Sequence, residues 1–401
     1  MGSEWRKVKL EEIAIFKNGK KIEEHKRKSK GKYRIFGSNG IIGETDEYLV
    51  KDSCIVIGRV GACGSLQYVN SPSWITDNAI FCKIKKNGNL KFLYYVLKTL
   101  PLREMAGGSA QPLINQAILN NIEIKLPPLP EQQKIASILS AFDDKIELNN
   151  EMNKTLEEIA QAIFKHWFID FEFPNENGEP YKSSGGEFVD SELGPIPRGW
   201  KVIKISEICE IQIGGDWGKE DKFEGAVPVY CLRGVDLQKL KENGYSNELP
   251  LRWVKKSSLE KRMLSSKDIL IAGSGIGPVG RTLYFHENIT NLYEYPLIYS
   301  NFCKRIRAKS EQYAIYIEQI LENMYTKGEM ALYINGTSVP NLNINGLIEH
   351  KVVLPTDDIL NKYADFKSKV LARKYSKENL TLSQLRDTLL PKLISGEIRV
   401  M

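Results

Sequence analysis

Leu126-Pro127-Pro128-Leu129-Pro130-Glu131-Gln132-Gln133-Lys134-Ile135 opens the stretch that decides the fold. After Pro130 the chain runs about 39 residues without glycine or proline, to Ile169. Pro130 and Glu131 suit a first helical turn, where a missing N–H costs nothing and a carboxylate meets the positive end of the helix dipole. Apolar residues then fall at heptad spacing: Ile135, Ile138, Phe142, Met152, Leu156, Ile159 and Ile163. Lys145, Asn149 and His166 are polar positions on the same seam. The spacing predicts a coiled-coil helix in which Asn149 fixes register at some cost in stability.

A second such segment begins near Thr356, with Asp357 and Asp358 at its positive end. Ile359, Tyr363, Phe366 and Val370 form one stretch of seam. Leu371, Tyr375, Leu382, Leu385 and Leu389 form another, shifted by one residue, and Pro391 and Gly396 close it. At 1.5 Å per residue each helix would be ~55 Å long. Apolar seams of matching length make the two helices each other's expected partners, in antiparallel orientation. The alternative is that each helix packs on its own domain.

Outward from these helices, the chain is written twice. Trp5, Leu10, Glu12, Ile13 and Gly19 reappear at an offset of 195 as Trp200, Ile205, Glu207, Ile208 and Gly214. Gly108-Ser109-Ala110-Gln111-Pro112 matches Gly336-Thr337-Ser338-Val339-Pro340 at 228, so the second copy has gained 33 residues between those landmarks. Cys54-Ile55-Val56-Ile57-Gly58 lines up with Ile269-Leu270-Ile271-Ala272-Gly273. A repeat this long means duplicated domains rather than a solenoid. Each copy mixes short strands with a helix or two, which suits an α+β recognition domain of about 130–160 residues.

Composition is that of an ordinary globular protein, 42% hydrophobic and 26% charged, and no apolar run is long enough for a membrane span. Six scattered cysteines without a CxxC pair read as reduced cytoplasmic thiols, not a zinc site. The net charge of +6 is mild, but its distribution is not. Nine Lys or Arg crowd residues 17–34, and Lys239, Lys241, Arg252, Lys255, Lys256, Lys261, Arg262 and Lys267 form a looser counterpart. Clustered cations in both copies point to a polyanion such as DNA; solvated lysine-rich loops are the other reading.

No catalytic constellation is expected. Gly275-Ile276-Gly277-Pro278-Val279-Gly280 fits GxGxxG, but Pro278 and the strand-like Thr282-Leu283-Tyr284-Phe285 follow where a helix is required. No GK precedes Ser or Thr, and the four histidines lack ligand spacing, so no cofactor and no metal are expected.

Trp5-Arg6-Lys7-Val8-Lys9-Leu10-Glu11-Glu12-Ile13 and Trp200-Lys201-Val202-Ile203-Lys204-Ile205-Ser206-Glu207-Ile208 resemble the domain starts of the specificity subunits of Type I restriction–modification enzymes. Residues 126–135, Phe164-Lys165-His166-Trp167-Phe168-Ile169-Asp170-Phe171 and Gly194-Pro195-Ile196-Pro197-Arg198-Gly199-Trp200 carry the same resemblance, which covers the whole chain. The second copy departs from it, with Leu354-Pro355-Thr356-Asp357-Asp358 where the fuller motif belongs.

The resemblance implies an α+β protein with two similar mixed α/β target-recognition domains. A pair of long antiparallel coiled-coil helices would separate them in a pseudo-twofold repeat. The divisions would be 1–125 and 200–350 for the domains, 126–174 and 351–401 for the helices, and 175–199 for a linker. It also implies a non-enzymatic subunit whose domains each read one half of a split, asymmetric double-stranded DNA target. The coil would set the spacer and dock methyltransferase subunits, two of them, with restriction and translocase subunits joining through the complex. The alternative class is a protein-binding scaffold with two partner domains on a stalk.

Base edges are read by polar side chains on loops, while Lys and Arg hold phosphates. In copy one the candidates are Lys20, Lys21, Arg27, Lys32, Ser38, Asn39, Arg59, Ser109 and Gln111. In copy two they are Trp217, Lys219, Arg233, Ser274, Arg281, Thr337 and Ser338. Each can equally be a turn residue without a DNA contact.

Overall fold

A computed structural model of the chain describes residues 5–85, 88–107, 112–275, 279–336 and 338–400. These form two units, Met1–Glu147 with Thr381–Met401, and Leu148–Leu380.

The first unit holds β1 (Arg6–Lys9), β2 (Ala14–Asn18), β3 (Tyr33–Gly37), β4 (Gly40–Thr45), β5 (Cys54–Gly58), β6 (Leu66–Val69), β7 (Ser73–Ile75), β8 (Ala79–Ile84) and β9 (Glu123–Leu126). They pair as a four-stranded sheet β2-β8-β5-β6, a three-stranded sheet β4-β3-β7 and the pair β1-β9. The central strand β5 is buried on both faces, hence its unbroken apolar run. Its alternate side chains serve two cores. Ile55 and Ile57 meet Phe92, Leu93 and Val96, whereas Cys54 and Val56 meet Phe36, Val69 and Ile75.

The second unit begins its strands with a linker hairpin, β10 (Phe188–Val189) and β11 (Ile196–Pro197). Then come β12 (Lys201–Lys204), β13 (Cys209–Ile211), β14 (Ala226–Leu232), β15 (Leu251–Lys255), β16 (Asp268–Ala272), β17 (Thr282–Tyr284), β18 (Leu297–Tyr299), β19 (Cys303–Ala308), β20 (Ile334–Asn335), β21 (Asn341–Leu342) and β22 (Lys351–Leu354). The sheets are β13-β19-β16-β17, β15-β14-β18 and β12-β22. Each repeats a sheet of the first unit in strand order. The sense is repeated too, down to one parallel pair in each three-stranded sheet, β3 with β7 and β14 with β18. The linker is ordered, because Phe173 stacks on Trp200 at 4.9 Å and on Tyr181 at 4.5 Å.

The α-helices of seven or more residues are α1 (Leu90–Lys98), α2 (Leu129–Phe164), α3 (Gly234–Asn243), α4 (Lys256–Arg262), α5 (Glu311–Thr326), α6 (Asp357–Lys374) and α7 (Glu378–Ser395). Side-chain caps start two of them: Asn89 accepts the Phe92 N–H at 2.8 Å, and Ser310 accepts the Tyr313 N–H at 3.3 Å.

In each unit a section of α2 runs antiparallel to the C-terminal segment. Within the first, Glu131 accepts from Arg399 at 2.7 Å and from Trp5 Nε1 at 3.1 Å. Asp143 there meets Arg386 at 2.5 Å and the Tyr95 hydroxyl at 2.6 Å. Within the second, Asn149 donates to Asn379 at 2.8 Å, Glu157 pairs with Lys367 at 2.8 Å and Lys374 at 3.4 Å, and Tyr363 lies 3.5 Å from the Ala160 carbonyl.

Two features differ from the heptad reading. The second helical segment is not continuous: α6 stops at Lys374 and α7 starts at Glu378. The break at residues 375–377 falls after the one-residue shift between Val370 and Leu371, which are both buried inside α6, so the shift marks a wider buried face and not the break.

The buried stripe of α2 also leaves the heptad. Ile135, Asn149, Tyr363 and Val370 are buried, while Ile138, Phe142, Leu156, Ile163, Phe366, Leu382 and Leu389 are half-buried. Met152, Ile159 and Leu385 are exposed, and His166 is as well. Ala160 and Phe164 take the inward positions instead. A straight helix drifts ~20° per heptad from a 3.5-residue repeat, so four heptads after Ile135 the inward position has moved by nearly one residue.

Candidate nucleic-acid interface

At one end of the sheet β2-β8-β5-β6 the backbone draws several loops together. Gly19 N–H donates to the Ala79 carbonyl and Lys20 N–H to the Ile75 carbonyl, both at 2.9 Å. Arg59 N–H reaches the Asn78 carbonyl, and Thr76 N–H the Phe36 carbonyl, again at 2.9 Å. Ser65 donates from its hydroxyl to the Ser38 carbonyl. Gly19 is required here, since a Cβ would sit 2.1 Å from the Thr76 carbonyl oxygen. The result is a fixed rim carrying Lys20, Lys21, Ser38, Asn39, Arg59 and Asn78.

Lys20, Lys21, Asn39 and Asn78 are exposed, and Ser38 and Arg59 are half-buried. The Arg59 Nε is buried without a hydrogen-bond partner among the described residues. The rest of the basic stretch is partly engaged. Lys26 pairs with Glu47 at 3.1 Å, Lys28 with Asp46, and Arg27 with Glu24 at 3.8 Å. The Lys28 ammonium and the Lys32 N–H hold the Asp46 carboxyl below its usual range. Arg27 and Lys32 therefore sit beside carboxylates, whereas no carboxylate lies within 4.0 Å of Lys20 or Lys21 among the described residues.

The second unit builds the same rim. Gly215 is its tight point, where a Cβ would lie 2.1 Å from the Ser300 carbonyl oxygen. Asp216 N–H donates to Tyr299 at 2.9 Å, Gly273 N–H to Phe302 at 2.7 Å, and Leu342 N–H to Gly273 at 2.8 Å. Ile114 N–H makes the last bond with Arg59 in the first unit. Ladder register pairs Gly58 with Ala272, one residue before Gly273, while the close approach to a carbonyl oxygen pairs Gly19 with Gly215, one residue after Gly214.

The candidates of copy two separate. Ser274 belongs to the rim, with its N–H 3.2 Å from the Phe302 carbonyl. Ser338 is exposed nearby in sequence to Val339, itself 62% exposed. Trp217 lies under the Arg252 guanidinium at 4.5 Å. Lys219 is exposed, with its backbone paired to Trp253. Two arginines are committed to the protein. Arg233 forks onto the fully buried Asp236 at 2.7 and 3.0 Å. Arg281 lies over Tyr325 and 3.7 Å from Glu242, toward the helices. Ser109, Gln111 and Thr337 lie outside the described residues.

Beside this rim is a groove of about 450 Å³ lined by Lys219, Lys255, Lys261, Arg262 and Trp253. Arg262 donates to the Gly214 carbonyl and the Ser258 hydroxyl, both at 2.8 Å. Asp216 is partly buried, yet the Ser258 hydroxyl and the Gly218 N–H keep its carboxyl below the usual range. The groove thus couples a basic wall to the rim. Asn78 and Phe302, at the turns before β8 and β19, were not legible as site residues: a turn position carries no spacing signal.

Among the described residues no three His, Cys, Asp or Glu side chains converge as metal ligands, and no helix is long and apolar enough to cross a membrane. All six cysteines are free and buried, and burial raises the thiols of Cys209, Cys231 and Cys303 to about 12.

Comparison with known proteins adds a family to this geometry. A family model described as the Type I restriction modification DNA specificity domain matches residues 2–158 and 197–382. The chain is 30% identical over 330 residues to the Type I restriction enzyme MjaIX specificity subunit of Methanocaldococcus jannaschii, covering 79% of this chain and 71% of that protein. It is 25% identical over 383 residues to the HindI specificity subunit of Haemophilus influenzae, covering 79% and 80% respectively. In fold it is similar to the crystal structure of a Type I restriction–modification S subunit from M. genitalium. There the TM-score is 0.60 at 21% identity, over 97% of this chain and 96% of that one.

Proposed function

The chain belongs to the Type I restriction–modification DNA specificity family, and from that premise we propose that it is the sequence-reading subunit of such a complex. Each domain binds one half of a bipartite, asymmetric double-stranded DNA target. The observation that carries this reading is the repeated rim: the same sheets, the same glycine pinch and the same carbonyl bonds, with different side chains displayed. A common scaffold with different readers is what two half-sites need. Exposed Lys20 and Lys21, and the basic groove of the second unit, supply the phosphate contacts.

The chemistry of methylation and cleavage belongs to partner subunits, and the chain itself contributes recognition. For the methyltransferase subunits, two in number, a docking strip is available on α2, where Leu148, Met152 and Ile159 are 49%, 39% and 43% exposed. Restriction and translocase subunits join through them. Six free buried thiols fit a cytoplasmic site of action.

The helices act as the spacer ruler. Four residues inserted into α2, matched by four in α6, add about 6 Å of helix against a rise of ~3.4 Å per base pair. Sequencing methylated sites in a host carrying the altered chain with its methyltransferase should then return unchanged half-sites with a spacer about two base pairs longer. An unchanged spacer refutes the ruler. Retention on DNA that does not weaken as salt rises refutes DNA reading itself and favours the protein scaffold.

A further inference from the structure

We infer that Asn78 and Phe302 are paired specificity-determining residues, one in each domain, reading an adenine and a thymine respectively. The inference rests on the DNA-reading function proposed above and assigns it to two side chains.

The two residues occupy one structural position. Each follows a short strand, β7 or β18, and immediately precedes the sheet strand β8 or β19. Each has its backbone carbonyl bound by the N–H of the residue after the central strand: Arg59 to Asn78 at 2.9 Å, and Gly273 to Phe302 at 2.7 Å. Two residues earlier, the N–H of Thr76 or Ser300 is tied to the three-stranded sheet, through Phe36 or Leu232, at 2.9 Å in both. The turn is therefore fixed at both ends by the protein itself.

The side chains have no such anchor. Asn78 is exposed, and no hydrogen bond from its amide occurs among the described residues. Phe302 is 60% exposed, an aromatic ring left in water on a turn whose backbone is rigid.

Cations flank both positions. The loop with Lys20 and Lys21 is bonded to the same turn as Asn78. In the second unit Lys304 packs against Gly273, and Arg262 holds the Gly214 carbonyl beside the Gly215–Ser300 pinch. A rigid tip between phosphate-holding cations is placed to enter a groove and meet base edges. The chemistry at the tip then decides the base. An asparagine amide donates from its NH2 to adenine N7 and accepts at its carbonyl oxygen from the adenine N6 amino group, in the bidentate manner, whereas an aromatic ring makes apolar contact with the thymine methyl. One scaffold position with Asn in one copy and Phe in the other gives the two domains different readings.

The test is the methylation rate of the assembled complex on duplexes carrying each base at every target position. Asn78→Ala should lower discrimination at one adenine of one half-site by roughly 5- to 150-fold and leave the other half unchanged. Phe302→Ala should relax one thymine of the opposite half, and Phe302→Leu should retain part of that preference. Wild-type base preferences in both alanine variants overturn the assignment. A fall in rate that is equal for all bases also overturns it, because that marks a residue that holds phosphate. If the wild-type complex itself shows no base preference, the DNA-reading function fails first, and the two failures are distinguished.

Discussion

Replacing Glu157 by glutamine should cost the second unit about 3 kcal/mol. Glu157 on α2 lies 2.8 Å from Lys367 and 3.4 Å from Lys374 on α6, with side chains 18%, 6% and 7% exposed. Burial opposes its charge, but the two ammonium groups outweigh burial and hold the carboxyl at about 2 instead of 4.5. At 1.36 kcal/mol per pKa unit that difference is worth about 3 kcal/mol at neutral pH. Removing one partner of a buried pair costs roughly 3–5 kcal/mol, because the remaining charge is left buried without a partner, and the two figures agree. Lys374 shows the strain that would follow. Burial holds it below the usual lysine range even beside Glu157, with the Lys367 ammonium adding to the effect.

In a thermal melt of the full chain, Glu157→Gln should lower the transition of the second unit by roughly 6–12 °C. The sign with pH is fixed by the depressed pKa. The contribution of Glu157 is complete above about 4.5 and is lost as pH falls toward about 2, so variant and wild type should converge on acidification. Glu157→Leu combined with Lys367→Met and Lys374→Met should recover most of the loss, because none of the three charges is then left without its partner, and Lys241 keeps Glu318 and Glu322. A neutral-pH difference below about 1 kcal/mol, or one that does not shrink in acid, refutes the reasoning.

Three further outcomes can be measured. Lys20→Ala with Lys21→Ala should weaken DNA binding equally for all sequences and flatten the slope of log K against log salt by about 2; an unchanged slope removes these lysines from the phosphate contacts. Gly215→Ala forces a methyl to 2.1 Å from the Ser300 oxygen and should destabilise the second unit by about 1–3 kcal/mol in urea, whereas a neutral effect would show that the pinch can relax. Burial lowers the His286 pKa, against Glu311 and Glu287, so the stability of the second unit should be complete above about 6.5 and decline as pH falls below it; His286→Phe should remove that part of the decline, and an identical pH profile would contradict it.

The sequence made the repeat, the helical segments and the family readable because these depend on local pattern. Trp5 and Trp200, the apolar strands Cys54–Gly58 and Asp268–Ala272, and the glycine-free run after Pro130 each carry their signal within a few residues. What could not be read depends on three-dimensional register. Gly215, not Gly214, makes the carbonyl approach that Gly19 makes, and only the fold shows which glycine meets a carbonyl. Met152 and Ile159 look inward on a heptad count but stand outside once the helix keeps its own period. Arg233 resembled a reader beside Gly234, yet Asp236, three residues on, takes its guanidinium. Asn78 and Phe302 had no motif at all; their place at equivalent tips appears only when strand ladders are superposed.

The most direct test of two-domain reading is an exchange of one domain. Residues 200–350 would be replaced by the corresponding domain of another family member, and methylated sites sequenced in a host carrying the chimera with its methyltransferase. The expected result is a bipartite motif in which one half is new and the other is that of the original chain. A motif in which both halves change, or neither does, would contradict independent reading by the two domains.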